Sequence, residues 1–265
     1  MRLHRWSIFL ITMVMTLTGC RGQSADPAIL YLAPGPNGAT QLYRLDPGAA
    51  AARQLTGLDD PRASEVIDFA ADPDGRRIAY MTQAAEGDSA IRLIDAAGGS
   101  DKSLAACPQA ECSGPVWSPD GRRLIFEMRP RENGLLASPR LHWLDPTTGE
   151  TRPLIEGNET PGYGVRFSPD GQWLSYVSLA DEGVVLYRLG DGRQRLLSSR
   201  VGSPAAWSPD SVAVVYGDLV VQGHETAPEP QGGAGESLGE LPLQESSNIF
   251  LYRSLVDEES ARRRQ

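Results

Sequence analysis

Residues Trp117-Ser118-Pro119-Asp120-Gly121-Arg122-Arg123-Leu124-Ile125-Phe126 decide the fold, because the chain writes their pattern four times. The first copy is Asp72-Pro73-Asp74-Gly75-Arg76-Arg77-Ile78-Ala79-Tyr80. The third is Ser168-Pro169-Asp170-Gly171-Gln172-Trp173-Leu174-Ser175-Tyr176, and the fourth is Ser208-Pro209-Asp210-Ser211-Val212-Ala213-Val214-Val215-Tyr216. The turn aspartates Asp74, Asp120, Asp170 and Asp210 follow one another at steps of 46, 50 and 40 residues. Proline fixes φ at the second turn place, and Asp-Gly tolerates a left-handed backbone. An aliphatic residue stands four places after each aspartate and an aromatic one six places after, the period of a strand with one buried face. Before each turn another strand carries a bulky aromatic: Phe69, Trp117, Phe167 or Trp207. Each copy therefore reads as a hairpin. The fourth has Ser211 in place of glycine, and a distorted turn is expected there.

Working outward, a second strand motif follows each hairpin: Ile91-Arg92-Leu93-Ile94-Asp95, Leu141-His142-Trp143-Leu144-Asp145 and Leu186-Tyr187-Arg188-Leu189-Gly190. Further copies are Leu42-Tyr43-Arg44-Leu45-Asp46, ahead of the first hairpin, and Ile249-Phe250-Leu251-Tyr252-Arg253 near the C-terminus. Gly-rich turns and short strands such as Arg53-Gln54-Leu55 and Arg152-Pro153-Leu154 complete the unit. Four antiparallel strands every 40 to 50 residues make the blade of a β-propeller. Residues 28–56 supply three strands, at Ala28–Leu32, Gln41–Asp46 and Arg53–Thr56. Three complete units follow, and the last has Ala205–Ser208, Val212–Tyr216 and Ile249–Arg253 with a doubtful fourth strand. The expected fold is thus all-β, a β-propeller of four-stranded antiparallel blades, about five in number.

The W-S-P-D-G-[RK]-[RK]-[LI] hairpin, followed by a [LI]-x-x-[LI]-D strand, resembles the TolB-type propeller repeat, a relative of the WD repeats. The resemblance runs over residues 28–256. It implies the propeller fold. That family is known for six blades, so this ring is expected to be small, imperfectly closed or shorter than its relatives. It implies no particular activity, because such blades occur in periplasmic scaffold proteins, in propeller domains of serine peptidases and in lipoproteins.

The N-terminus reads as an export leader, residues 1–20. Arg2 and Arg5 precede an apolar run of 12 residues, Trp6 to Leu17. As a helix that run would reach about 18 Å at ~1.5 Å per residue, short of a hydrocarbon core of about 30 Å, so a cleaved signal is expected rather than a lasting span. Leu17-Thr18-Gly19-Cys20 resembles the bacterial lipobox, which implies acylation of Cys20 and a membrane anchor. Residues 21–27 would be a polar tether. The expected location is the cell envelope, on the outer face of a plasma membrane or on an outer membrane facing the periplasm.

Composition narrows the function classes. The 25 Lys and Arg against 34 Asp and Glu give a net charge of −9, and loss of the leader would remove Arg2 and Arg5 and no acid. Nucleic acid is not an expected partner, since phosphate binding needs clustered Lys and Arg. Cys107 and Cys112, spaced C-x4-C, are expected to oxidise to a disulfide outside the cytoplasm. The alternative, a metal pair, lacks partners, because neither His142 nor His224 has a second ligand at metal spacing. No cofactor and no catalytic residue is expected. Gly235-Glu236-Ser237-Leu238-Gly239 matches G-x-S-x-G, but its Pro/Gly/Glu-rich flanks lack the strand and helix that a nucleophile elbow requires. His142 stands at a strand place shared with Tyr43, Arg92, Tyr187 and Phe250, and the turn aspartates sit on separate blades where they cannot jointly supply a Ca²⁺ ion's oxygens. Trp117 and Trp207 read as core.

The first-to-second strand turns lie on one rim of the disc, and the second-to-third and fourth-to-first loops lie on the opposite rim. That second rim holds the varied segments: Met81–Ala90, Glu127–Pro139, the Cys107–Cys112 loop and an acidic Pro/Gly-rich insertion at 217–248. Long loops on a rigid scaffold carry recognition. The expected function is a non-enzymatic, membrane-anchored scaffold that binds a protein or peptide there. The alternatives are an accessory propeller of an envelope peptidase or glycan-active enzyme, and a ligand-sensing lipoprotein. Residues 257–265 read as a charged tail.

Overall fold

The computed structural model describes residues 27–58, 64–84, 87–155, 161–222 and 246–256, and every regular element among them is a β-strand. The leader with Cys20 and the tail 257–265 lie outside the described residues. The strands form five antiparallel sheets in chain order. The first holds β1 (Ile29–Pro34), β2 (Thr40–Leu45) and β3 (Arg53–Gln54). The second holds β4 (Glu65–Ala71), β5 (Arg77–Gln83), β6 (Ser89–Asp95) and β7 (Asp101–Cys107). The third holds β8 (Ala110–Trp117), β9 (Leu124–Glu132), β10 (Leu135–Leu136), β11 (Arg140–Leu144) and β12 (Thr151–Pro153). The fourth holds β13 (Gly162–Phe167), β14 (Trp173–Ser178), β15 (Gly183–Arg188) and β16 (Gln194–Ser198). The fifth holds β17 (Ala206–Trp207), β18 (Ala213–Gln222) and β19 (Ser246–Leu255). The first sheet begins at the second strand of the repeat, and the fifth stops, among the described residues, at the third.

The repeated turn explains why each hairpin forms where it does. Ser118 Oγ donates to Asp120 Oδ1 at 2.6 Å and accepts from the Arg123 amide at 3.0 Å. Ser168 and Ser208 make the same two bonds within their own turns. Asp72 replaces serine in the first turn. Its Oδ1 accepts from the amides of Arg76 and Arg77, and its Oδ2 takes Arg77 Nε at 2.8 Å. The fourth turn is not distorted. Ser211 adopts φ +62°, beside +66°, +67° and +69° at Gly75, Gly121 and Gly171. A left-handed residue other than glycine costs energy, and here the Ser211 hydroxyl offsets it by accepting from the Asp170 amide of the neighbouring turn at 3.0 Å.

The period-two pattern becomes packing between sheets. β4, β8, β13 and β17 pack in succession along an inner row. Four apolar cores then join consecutive sheets. Leu42, Leu55, Ile78 and Tyr80 link the first to the second, and Ile91, Leu93, Leu124 and Phe126 link the second to the third. Ile125, Trp143, Leu174 and Tyr176 link the third to the fourth, and Val184, Leu186, Leu197 and Val214 link the fourth to the fifth. Each fully buried side chain of this size contributes about 1.5–3 kcal/mol. The inner-strand tryptophans tie the cores to the preceding sheet: Trp117 Nε1 donates to Ala70 O and Trp207 Nε1 to Ser175 Oγ, both at 3.0 Å. Among the described residues no core and no hydrogen bond joins the fifth sheet to the first, so the five sheets form an arc with two open ends.

The 217–248 insertion is shorter than its composition suggested. β18 and β19 pair without interruption from Ala213↔Leu255 to Gln222↔Ser246. Leu219-Val220-Val221 is a strand-forming run that carries the ladder past Gly217, and the Pro/Gly/Glu-rich stretch begins only after it. Residues 223–245, with the G-x-S-x-G string and His224, lie outside the described residues.

Candidate functional site

The two rims differ in how they are built. On the turn rim, neighbouring turns are tied to one another: Arg77 Nη2 donates to Gly121 O at 2.8 Å while its guanidinium lies 4.6 Å from the Trp117 ring centre. That surface is regular and committed to holding the sheets together.

On the opposite rim three connections meet between the second and third sheets. Pro108 and Gln109 alone separate β7 from β8, and Cys107 and Cys112 flank them as a disulfide pair with Cα atoms 6.3 Å apart. Gln109, at φ +51°, donates its amide to Asp88 Oδ1 and accepts from the Arg131 amide at 2.7 Å. Ser89 Oγ bridges the same corner, accepting from the Cys112 amide and donating to Ala110 O. Above this corner β9 runs on to Glu132 and turns back into β10, with Asn133 and Gly134 at φ +51° and +82°. Leu135 at the tip is 76% exposed. The segment Glu127–Pro139 is therefore a projecting hairpin and not the loop expected from sequence. Asn133-Gly134 was the signal, because two consecutive residues with positive φ favour Asn-Gly. The β18–β19 hairpin extends on the same rim.

A cavity of about 630 Å³ opens between the first and second sheets, lined by Gln41, Thr56, Ser64, Tyr80, Arg92 and Asp101 among others. Tyr80 donates to Asp101 Oδ2 at 2.7 Å, and Arg92 Nε donates to both Tyr80 Oη and Asp101 Oδ1. Burial and the Asp101 carboxylate hold the Tyr80 phenol protonated, well above its ordinary range. The cluster offers charge-assisted donors and acceptors to a small polar molecule, but no activated nucleophile.

The other sequence candidates take structural places. His142 Nδ1 lies 3.1 Å from Arg140 O, its ring stacks on Phe126, and burial depresses its pKa. The turn aspartates Asp120, Asp170 and Asp210 cap their own turns. Two acids that the sequence did not single out, Asp68 and Glu127, accept the amides of Gly114 and Gly164 from the following sheet. Burial and the nearby Asp68 raise the pKa of Glu127. Both glycines sit at bulges of their inner strands, which gives these acids a stapling role. No group of three or more His, Cys, Asp or Glu side chains among the described residues could hold a metal ion.

No protein-family model and no curated protein matches the chain. Solved structures do. TolB from Acinetobacter baumannii superposes with a TM-score of 0.55 at 17% identity, over 87% of this chain and 53% of that one. A protein described as TolB from Agrobacterium tumefaciens gives 0.50 at 22% identity, over 72% and 73% of the two chains. An oligogalacturonate lyase in complex with manganese gives 0.51 at 16% identity, over 68% and 50%. The chain thus spans about half the length of the Acinetobacter TolB. TolB and a lyase share this architecture, so the likeness concerns the fold. Repeated antiparallel sheets set side by side along an inner row of strands, superposable on TolB, make this chain a TolB-like β-propeller.

Proposed function

We propose that the chain is an exported envelope protein, held on a membrane by acyl chains on Cys20, that binds a protein or peptide partner on its loop rim. The observation that carries this reading is the asymmetry of the two rims. One is closed by bonds between turns, whereas the other presents the β9–β10 hairpin with its exposed Leu135, the Cys107–Cys112 corner and, from the fifth sheet, the β18–β19 pair. An apolar tip on a hairpin, rimmed by Arg131 and Glu132, has the make-up of a contact centre with a polar surround. The test is affinity capture of the full chain from its native membranes, beside a Leu135→Asp variant. One stoichiometric protein lost with the variant supports the reading. The same set of proteins with both chains, or none with either, contradicts it. Cys20→Ala should move the protein to the soluble fraction, and equal membrane retention of variant and wild type would remove the anchor from the proposal.

The inter-sheet cavity favours a second reading, a ligand-sensing protein whose small polar ligand sits against Arg92. Arg92→Leu should then abolish any rise in melting temperature that a library of envelope sugars and carboxylates produces. An unchanged response would exclude that site.

A further inference from the structure

The open ends of the arc carry the residues with which the repeat joins its own sheets. In the second to fifth sheets, the aliphatic residue four places after the turn aspartate and the aromatic six places after pack against the preceding sheet. These pairs are Ile78 and Tyr80, Leu124 and Phe126, Leu174 and Tyr176, and Val214 and Tyr216. Strand register assigns the same two places in the first sheet to Ile29 and Tyr31. Ile29 lies opposite Leu45 and Tyr31 opposite Tyr43, as Ile78 lies opposite Ile94 and Tyr80 opposite Arg92. No described sheet precedes them, and they are 58% and 37% exposed.

The other end mirrors this. Strand register, which shifts the third-strand alignment read from the sequence by two residues in the fourth and fifth sheets, puts Leu42, Ile91, Leu141 and Val184 at one equivalent place, and each is buried against the following sheet. Leu251, opposite Gly217 as Ile91 is opposite Met81, holds that place in the fifth sheet and is 77% exposed. Val215 beside it is 40% exposed, whereas its counterparts Ala79 and Ile125 are fully buried.

We propose that the two faces bind one another between copies of this chain, the fifth sheet of one molecule packing on the first sheet of the next. The occupant is a second copy because the complement of each face is already defined. The four internal interfaces show what covers a Leu251-type face, namely an Ile-x-Tyr pair, and the chain carries that pair uncovered at its other end. Such a contact is heterologous, head to tail, and builds a ring or an open chain of molecules according to its rotation.

The test uses the full chain carrying Cys20→Ser, with Tyr31→Cys placed in one preparation and Leu251→Cys in another. Mixing and mild oxidation should give a disulfide-linked dimer containing one chain of each kind, and Ile29→Asp added to the first chain should abolish it. Light scattering should show the parent protein growing in mass with concentration and the Ile29→Asp variant remaining monomeric. A parent that stays monomeric and forms no mixed dimer overturns the proposal. A single chain carrying both cysteines that links only to itself also overturns it, by showing that the faces meet within one molecule.

Discussion

The three middle sheets and the two end sheets are made from one repeat, yet they treat the same residues differently. In the middle sheets both faces of the pattern are covered, and Ile91, Leu124, Leu174 and Val184 are all but inaccessible. At the ends one face of each sheet is covered and the other repeats the pattern toward solvent. The difference teaches that the repeat encodes half-interfaces rather than a finished ring. In repeat architectures each unit contacts only its neighbours, and terminal units usually acquire a polar outer face. Here Ile29, Tyr31, Val215 and Leu251 keep the inner composition.

Substitutions can break or sharpen this contrast, and the largest effect is expected at a covered inner strand. Trp117→Ala removes a ring that fills the core between the second and third sheets, and it should cost about 3–5 kcal/mol in denaturant unfolding. Trp207→Ala, in the half-covered fifth sheet, should cost clearly less, and equal costs would break the contrast. Next comes the Cys107–Cys112 pair. Mass spectrometry of exported, non-reduced protein should find the two joined, and replacing both by serine should cost at most about 2–3 kcal/mol because the closed loop is short. Free thiols at both sites would contradict this.

A smaller effect separates the first turn from the other three. Burial opposes ionisation of Asp72, but the Arg77 guanidinium and the amides of Arg77 and Arg76 win, holding its carboxyl below the ordinary value of 3.8. A depressed carboxylate stabilises the fold above its unfolded pKa and loses that contribution as pH falls through the folded one. Asp72→Ser, which copies the other turns, should therefore lower the melting temperature at about pH 7 and differ less from wild type near pH 3. A gap that does not change with pH would remove the carboxylate from the account. Smallest of all is Ser211→Gly. Relief of a left-handed penalty of about 1–2 kcal/mol is set against loss of a hydrogen bond worth about 1 kcal/mol, so stability should shift by no more than about 1 kcal/mol. Ser211→Ala keeps the penalty, loses the bond and should be the less stable of the two.

Much of this fold was legible in the sequence because its signals are local. A Pro-Asp-Gly turn and a period-two strand are written within about ten residues, and the five-sheet order follows from their spacing. At two places the structure departs from the sequence expectation. The Ser211 turn is regular where distortion is expected, because the partner of its hydroxyl, the Asp170 amide, belongs to another turn 41 residues away. The β9–β10 hairpin stands where a loop is expected, and Asn133-Gly134 marks its turn. The candidate site was less legible. The meeting of Asp88, Gln109 and Arg131, and the cluster of Tyr80, Arg92 and Asp101, unite residues from different strands, and no spacing in one sequence announces them. The open ends were foreshadowed by the missing strands, but only strand register shows that the exposed residues are the joining ones.

The contrast between covered and open faces is tested most directly by one pair of substitutions at a single repeat position, measured by denaturant unfolding of dilute, monomeric protein. Leu42→Ala, at the place covered by the second sheet, should cost about 2–5 kcal/mol. Leu251→Ala, at the same place in the fifth sheet, should change stability by no more than about 0.5 kcal/mol. A Leu251→Ala cost as large as that of Leu42→Ala would show that the fifth sheet is covered within the molecule, and the open arc would be wrong.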